Sequence, residues 1–309
     1  MSRVYTCTMN LAIDLFIETE HMLASKVNRT LSDDVQANGK GVNVSFIMKQ
    51  LGISTTAIGF AGGFTGKFIT DTLVSKDIGA QFVEVDGLTR INVFTKVNAD
   101  HKEFKLVNRG PLVGTEAQRK LLEQIKSFDE GDYLVVSGSL PRGVEPEILT
   151  EISKIAQKKG LYLIFDVSHP TVLESLAYRP YLLKPNEEEL ADWFGKETLS
   201  HDGIIDCAKE LVKRGAQNIL VSLGEAGAVA VNSALEVFEC NAPQGEVVNT
   251  ACAGDTLLAT FLTGLIKQEA ITAVLPRSVA AGSSTAFRSG LTDFSDVDLL
   301  QKQINCHQI

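Results

Sequence analysis

The 309-residue sequence predicts an α/β fold: a mostly parallel central sheet with helices on both faces. Three observations carry that prediction. Short apolar runs alternate with longer amphipathic ones along nearly the whole chain. Hydrophobic residues make up 44% of it and charged residues 22%, enough apolar mass for a large core and too ordinary a charge content for disorder. Small-residue turns follow several apolar runs, where such sheets place their ligands.

The strand candidates, in order, are Val4–Thr8, Ala57–Phe60, Tyr133–Val136, Leu161–Phe165, Tyr181–Leu183, Ile219–Ser222 and Ala228–Val231. Between them lie helical periods. In Gly41–Leu51 the apolar positions are Val44, Ile47, Met48 and Leu51; in Gly254–Lys267 they are Leu257, Leu258, Phe261, Leu262, Leu265 and Ile266. Further helices are expected over Gly66–Asp77, Glu116–Phe128, Pro146–Lys159, Glu187–Phe194, Gly203–Arg214, Leu275–Phe287 and Asp296–Gln303. Two segments break the rhythm. Arg90–Val97 alternates Ile91, Val93, Thr95 and Val97 on one face, and Glu103–Val107 follows after a turn, as in a hairpin. The stretch Ile13–Val35 has no helical period. The expectation is one domain over residues 1–309, with segments 13–35 and 90–107 forming a small projecting sheet.

The formal net charge is −9 and no basic run occurs, so nucleic acid is not an expected partner. Five cysteines, never closer than 12 positions, show neither CxxC nor Cys/His spacing, which fits free thiols in a reducing compartment rather than structural zinc. No apolar run approaches a membrane span and no signal pattern opens the chain. A cytoplasmic protein is expected.

Three motifs bear on chemistry. Thr250-Ala-Cys-Ala-Gly-Asp255 leads into the strongest helix, whose free amides and dipole make an anion site beside Asp255. Asp255 there can take a proton from a hydroxyl, or simply complement the helix dipole. Gly39 and Gly41 flank Lys40 ahead of another helix bearing Asn43, either a ligand site or a tight turn; the spacing is not that of a Walker A loop. In Lys184-Pro-Asn-Glu-Glu-Glu-Leu190, Asn186 and Glu189 can hold Mg²⁺ through its waters, although acids in a first helical turn also serve the dipole. The Ser137–Gly143 and Ser222–Gly227 turns follow strands, and Asp14 follows the first one. Segment Thr8–Asp14 contains no glycine, which excludes a Rossmann dinucleotide site.

The motifs TMNLAID, NGKGVNVS, TRINV, SGSLPRG, KPNEEEL, SLGEAG and CAGDT, in this order, resemble the PfkB, or ribokinase-like, carbohydrate kinase family from Thr8 to about Gly290. The wording is similar to the branch containing bacterial 1-phosphofructokinase and tagatose-6-phosphate kinase. The resemblance implies a ribokinase-like fold with a β-sheet lid over the sugar, and a kinase using ATP and Mg²⁺. It implies Asp255 as catalytic base, with an anion hole at Cys252, Ala253 and Gly254. It places sugar-phosphate contacts on Asp14, Gly39, Lys40, Asn43, Arg90 and Ser139, with Lys40 and Arg90 as the cations for the phosphate already present. Lys184, Asn186, Ser222, Gly224, Gly227 and Gly254 fall on the ATP side, and Asn186 and Glu189 on the metal. The substrate implied is fructose 1-phosphate, phosphorylated at its 6-hydroxyl; the alternatives are a tagatose-6-phosphate kinase and a sugar-phosphate sensor that has lost catalysis. A homodimer through the lid is expected, because small open sheets are marginal alone. Three positions depart from the family pattern: Leu11 for a common Pro, Asn38 for a common Gly, and Cys252 for the first Gly of the base motif. A side chain at Cys252 costs strain if that position needs positive φ.

Overall fold

The computed structural model describes residues 2–309. Its strands in chain order are β1 (Val4–Thr8), β2 (Ala12–Thr19), β3 (Ser32–Asn38), β4 (Thr55–Ala61), β5 (Gly79–Glu84), β6 (Arg90–Val97) and β7 (Lys102–Leu106). They continue as β8 (Tyr133–Ser137), β9 (Tyr162–Asp166), β10 (Leu182–Leu183), β11 (Asn218–Ser222), β12 (Ala228–Asn232), β13 (Val237–Cys240) and β14 (Cys306–Gln308). The helices are α1 (Lys40–Gln50), α2 (Gly63–Ser75), α3 (Thr115–Lys126), α4 (Glu147–Lys159), α5 (Glu187–Trp193), α6 (His201–Lys213), α7 (Ala253–Ile266), α8 (Ile271–Ala286) and α9 (Val297–Gln301).

Every residue of β1 is buried, as in a strand covered on both faces. It lies inside a ten-stranded sheet of order β14-β13-β12-β11-β10-β9-β8-β1-β4-β5. From β5 to β11 all pairs are parallel; β12, β13 and β14 close the far edge antiparallel. Side chains alternate along β1. Tyr5 and Cys7 join a core with Leu121 and Ile125 of α3, Ile152 of α4 and Leu211 of α6. Val4 points the other way, to Val44 and Ile47 of α1, Phe261 of α7 and Val279 of α8. No helix among the described residues is long and apolar enough to cross a membrane.

The α/β reading and its interior strands match the structure. Three strands carried no sequence signal. β5 is a half-exposed edge strand with polar Gln81 and Glu84, and β13 and β14 are short strands at the opposite edge, so none presents a continuous apolar run. Helix α8 begins at Ile271 rather than Leu275, a turn earlier, with Pro276 inside it.

The irregular segments form a second sheet of order β3-β2-β6-β7, parallel only between β2 and β6. Register sorts its two faces. Asp14 lies opposite Asn92 and Phe16 opposite Phe94, whose rings stack at 5.1 Å. On the other face Leu15 meets Val93, flanked by Val35 on β3 and Leu106 on β7, which are 45% and 62% exposed. At the root of the sheet, Ile13 packs with Leu11, Val42, Ile69 and Leu73. Val97, by contrast, is fully buried and so unavailable to a partner.

Candidate active site

Helix α7 starts at a left-handed residue: its N-cap, Cys252, has φ 64° and ψ −2°. An L-residue bearing a side chain costs roughly 1–2 kcal/mol there. The turn leaves the first amides of the helix free. Among the described residues, the Gly254 and Asp255 amides donate to no backbone carbonyl, and Ala253 N reaches Thr250 O only at 3.4 Å. With the dipole of a 14-residue helix behind them, they make an anion site. Asp255, third in the helix, is 5% exposed, and its Oδ2 accepts from Asn43 Nδ2 at 2.8 Å. Burial, then the charge of Asp166, push its pKa up to about 6 against the pull of Lys40.

Asp166 ends β9 and is completely buried. Its Oδ1 accepts from Lys184 Nζ at 3.0 Å and Lys40 Nζ at 3.2 Å, while Oδ2 has no partner. Burial alone would raise this carboxyl, but Lys184 and Lys40 together lower it. Lys40 opens α1 and is held charged mainly by Asp166, with Asp255 and Glu189 adding to the effect. Lys184 follows β10 and is 4% exposed. A Cβ built on Gly254 would meet only Lys184 Nζ, at 3.5 Å, so the space over the α7 amides opens toward a buried ammonium.

A chain of amides runs from Asp255 to the small sheet. The Asn43 Nδ2 group is shared among Asp255, Asn38 Oδ1 at 2.8 Å and Cys252 Sγ at 3.1 Å. Asn38 Nδ2 donates in turn to Asp14 Oδ2, and Asn92 Nδ2 to Asp14 Oδ1 at 2.8 Å. Burial raises the Asp14 pKa, opposed by the bonds from Asn92 and Asn38 and by the charge of Arg90. Gly39 joins β3 to α1 at φ 144°; a Cβ there would stand 2.8 Å from Thr8 Cγ2, so only glycine lets the chain pass this close to β1. A cavity of about 600 Å³ opens beside Asp14, Asn38, Asn43 and Cys252. It runs toward Phe68 and Thr72 on α2, away from Asp166 and Lys184, so the convergent charges locate the chemistry better than the void does.

Arg90 and Ser139 form a separate group. Arg90 Nη2 donates to Asn10 O at 3.1 Å and Nη1 to Asn108 O at 3.2 Å; its buried Nε has no partner. Asn10 Nδ2 donates to Ser139 Oγ at 3.1 Å. Lys40 is not in this group: its ammonium pairs with Asp166. Asn186 and Glu189 have a structural role of their own. They form a capping box on α5, Asn186 Oδ1 accepting from Glu189 N at 2.7 Å and Glu189 Oε2 from Asn186 N at 2.9 Å. That occupies Asn186 Oδ1 and leaves Glu189 Oε1 open to the solvation shell of a cation. Asn186 bridges to Ser222, bringing the Gly224–Ala226 turn to the same end of the sheet. Gly227, at φ 104°, packs so closely that a Cβ would lie 2.0 Å from Cys240 O.

The pfkB family carbohydrate kinase profile matches residues 6–297. The chain belongs to this family. Among its relatives, a D-tagatose-1-phosphate kinase of Bacillus licheniformis is 48% identical over 305 residues, 97% of this chain and 98% of that one. A 1-phosphofructokinase of Bacillus subtilis is 33% identical over 288 residues, 93% and 94% of the two chains. The crystal structure of phosphofructokinase-2 from Escherichia coli in complex with substrates and products superposes with TM-score 0.90 at 30% identity, covering 97% and 98%. This PfkB protein is therefore a sugar-phosphate kinase, a phosphotransferase with an alcohol group as acceptor.

Sequence reasoning missed Asp166, Asn10, Asn38 and Asn92 as parts of the site. Asp166 had a signal, a carboxylate directly after the apolar run Leu161–Phe165. The three asparagines sit inside the TMNLAID, NGKGVNVS and TRINV motifs, but only the fold shows that they meet Ser139, Asn43 and Asp14.

Proposed function

We propose that this kinase transfers the γ-phosphoryl group of ATP to the free 6-hydroxyl of a ketohexose 1-phosphate, with D-tagatose 1-phosphate as its preferred acceptor and fructose 1-phosphate as the second reading. Fructose and tagatose differ only at C4 and present the same reacting hydroxyl. The 48% identity to a D-tagatose-1-phosphate kinase, against 33% to a 1-phosphofructokinase, favours the tagatose sugar over the fructose sugar that the motif wording suggests. The observation that carries the chemistry is the placement of Asp255. A buried carboxylate of raised pKa stands at the mouth of three unpaired or weakly paired amides, as in-line transfer to a hydroxyl requires.

In this reading Asp255 accepts the proton of the 6-hydroxyl as the oxygen attacks. The amides of Ala253, Gly254 and Asp255 receive the charge on the equatorial phosphoryl oxygens. Lys40 and Lys184 hold the nucleotide phosphates, and the turn from Ser222 through Gly224 to Gly227 takes the nucleoside. Glu189 Oε1 and the unpartnered Asp166 Oδ2 are the acceptors suited to waters of a Mg²⁺ ion. When bound, such an ion would supply neutralisation of phosphate charge. Asp14, Gly39, Asn43 and Ser139 line the sugar side, and Arg90, with its free Nε–H, grips the phosphate already on the acceptor. The small sheet serves as the lid, its Asp14/Asn92 face toward the sugar and its Leu15/Val93/Leu106 face toward the lid of a second copy.

A sensor without catalysis is disfavoured, because Asp255, Lys40, Lys184 and the capping box are all assembled. ADP release measured against tagatose 1-phosphate, fructose 1-phosphate, tagatose 6-phosphate and fructose 6-phosphate tests the proposal. Turnover highest on the two 1-phosphates supports it; preference for a 6-phosphate or no turnover on any sugar overturns it.

A further inference from the structure

The cysteines look scattered in the sequence, but the fold sets two of them face to face. Cys240 ends β13, Cys306 begins β14, and the register makes them direct antiparallel partners. The neighbouring bonds identify the kind of pair. Ile309 N donates to Val237 O at 3.0 Å, so positions 237 and 309 form a hydrogen-bonded pair. Such pairs alternate along the ladder, which makes 239/307 hydrogen-bonded and 240/306 not. In a non-hydrogen-bonded pair the Cα atoms stand about 4.5 Å apart with the side chains at their closest. That lies within the roughly 4.4–6.8 Å that a disulfide spans. Both side chains lie in one apolar cluster, Cys306 packing against the group that contains Cys240. Cys240 is fully buried and Cys306 partly exposed, so a small oxidant reaches Cys306 first.

We propose that Cys240 and Cys306 are an oxidation site, closing a disulfide between β13 and β14 when the protein meets a peroxide. The Cys306 sulfur attacks a peroxide oxygen, the O–O bond breaks, and one water leaves as a sulfenic acid forms. The Cys240 sulfur then attacks the Cys306 sulfur and displaces the hydroxyl as a second water. Two thiols lose two electrons and two protons in total, and hydrogen peroxide becomes two waters.

The location gives the bond a consequence. β14 is a three-residue edge strand, held by its ladder to β13 and anchored just upstream by the Asn305 N to Asn241 Oδ1 bond at 2.7 Å. A disulfide there closes a loop over residues 241–305, which contains α7 with Asp255 as well as α8 and α9. Closing a loop of that length restrains the unfolded chain and so stabilises the folded one. On the folded side, the Cys240 backbone is already fixed against Gly227.

The test uses the full-length protein, first reduced, then treated with hydrogen peroxide. Residual thiols are alkylated under denaturing conditions and the protein is digested without reductant. One cross-linked peptide pair joining Cys240 to Cys306 is expected, with the other three of the five cysteines alkylated. The melting temperature should rise by several degrees and fall back when dithiothreitol is added. Cys306→Ser, a conservative change at a partly exposed edge position, should melt like the reduced protein and gain nothing from peroxide. Alkylation of both Cys240 and Cys306 after treatment, a bridge to any other cysteine, or oxidation of Cys306 alone to the sulfinic acid would overturn the proposal.

Discussion

Replacing Asp255 by Asn should move activity and stability in opposite directions. Burial and Asp166 raise the Asp255 carboxyl from 3.8 to about 6, which corresponds to ~3 kcal/mol of cost for holding it ionised in the fold. The sign follows from linkage. Below pH 3.8 the carboxyl is protonated whether the chain is folded or not, so it contributes nothing. Between 3.8 and about 6 the unfolded chain releases the proton more readily, and folding loses stability; above about 6 the loss is complete. An asparagine keeps an oxygen for Asn43 Nδ2 and carries no charge, so at neutral pH the variant should be more stable, by about 5 °C or more in melting temperature. At about pH 4, near the unfolded value, the difference should nearly vanish. Without a base at this position kcat should fall by roughly 10²–10⁴-fold. In the unmodified enzyme kcat should decline as pH drops below about 6, where Asp255 takes up its proton. Steady-state ADP release and thermal melts at the two pH values measure both effects. An Asp255→Asn variant with near-normal kcat, or one that melts lower at neutral pH, would refute the argument that this carboxylate is both the base and a stored electrostatic cost.

Asp166→Ala should destabilise the protein by about 3–5 kcal/mol in urea titrations, because it strands the buried Lys184 ammonium without its partner. Arg90→Ala should raise KM for the sugar phosphate by about 10–100-fold, the size of a charged hydrogen-bond pair, and leave KM for ATP within about twofold; equal damage to both would assign Arg90 to holding Asn10 and Asn108 instead. Val93→Asp should convert a dimer to a monomer by light scattering at micromolar concentration, since Val93 lies at the centre of the half-exposed outer face of the small sheet. An unmodified protein that is monomeric at every concentration would leave that sheet with the substrate alone.

The parts legible in the sequence were those written in local pattern. Interior strands such as β1 and β8 announce themselves as apolar runs because both faces are buried, and α7 is legible from its stripe and the small residues ahead of it. Asp255, Lys40 and Asn43 stood out for the same reason, each lying where a glycine-rich turn meets a helix. The partnerships were not legible. Lys40 and Arg90 are both cations near glycines, yet one faces Asp166, 126 positions away, and the other faces the Asn10 carbonyl. Sequence spacing carries no signal for such contacts. The edges of the main sheet failed for another reason: β5 and β14 are poorly covered and polar, and β13, though mostly buried, is four residues long with Glu239 inside it.

The two carboxylates at the centre of the site divide the electrostatic work. Asp166 and Asp255 are both buried and both near Lys40, yet their proton affinities are pushed apart. Asp166 touches two ammoniums, Lys184 and Lys40, and stays ionised. Asp255 feels Lys40 only at a distance, feels the Asp166 charge as repulsion, and receives a single neutral amide from Asn43. In the proposed mechanism these opposite shifts separate an anion that stays charged from the base. The pairing also sets what the lysines can do. With Asp166 neutralising one of two positive charges, the two lysines and Asp166 keep a net single charge beside the space above Gly254, which in the proposed mechanism faces a nucleotide phosphate. Removing the Asp166 charge by Asp166→Asn would leave both lysines unneutralised and lower the affinity of Asp255 for its proton, so the acid limb of the pH–rate profile should move to lower pH. A base tuned only by its own burial would leave that limb where it is.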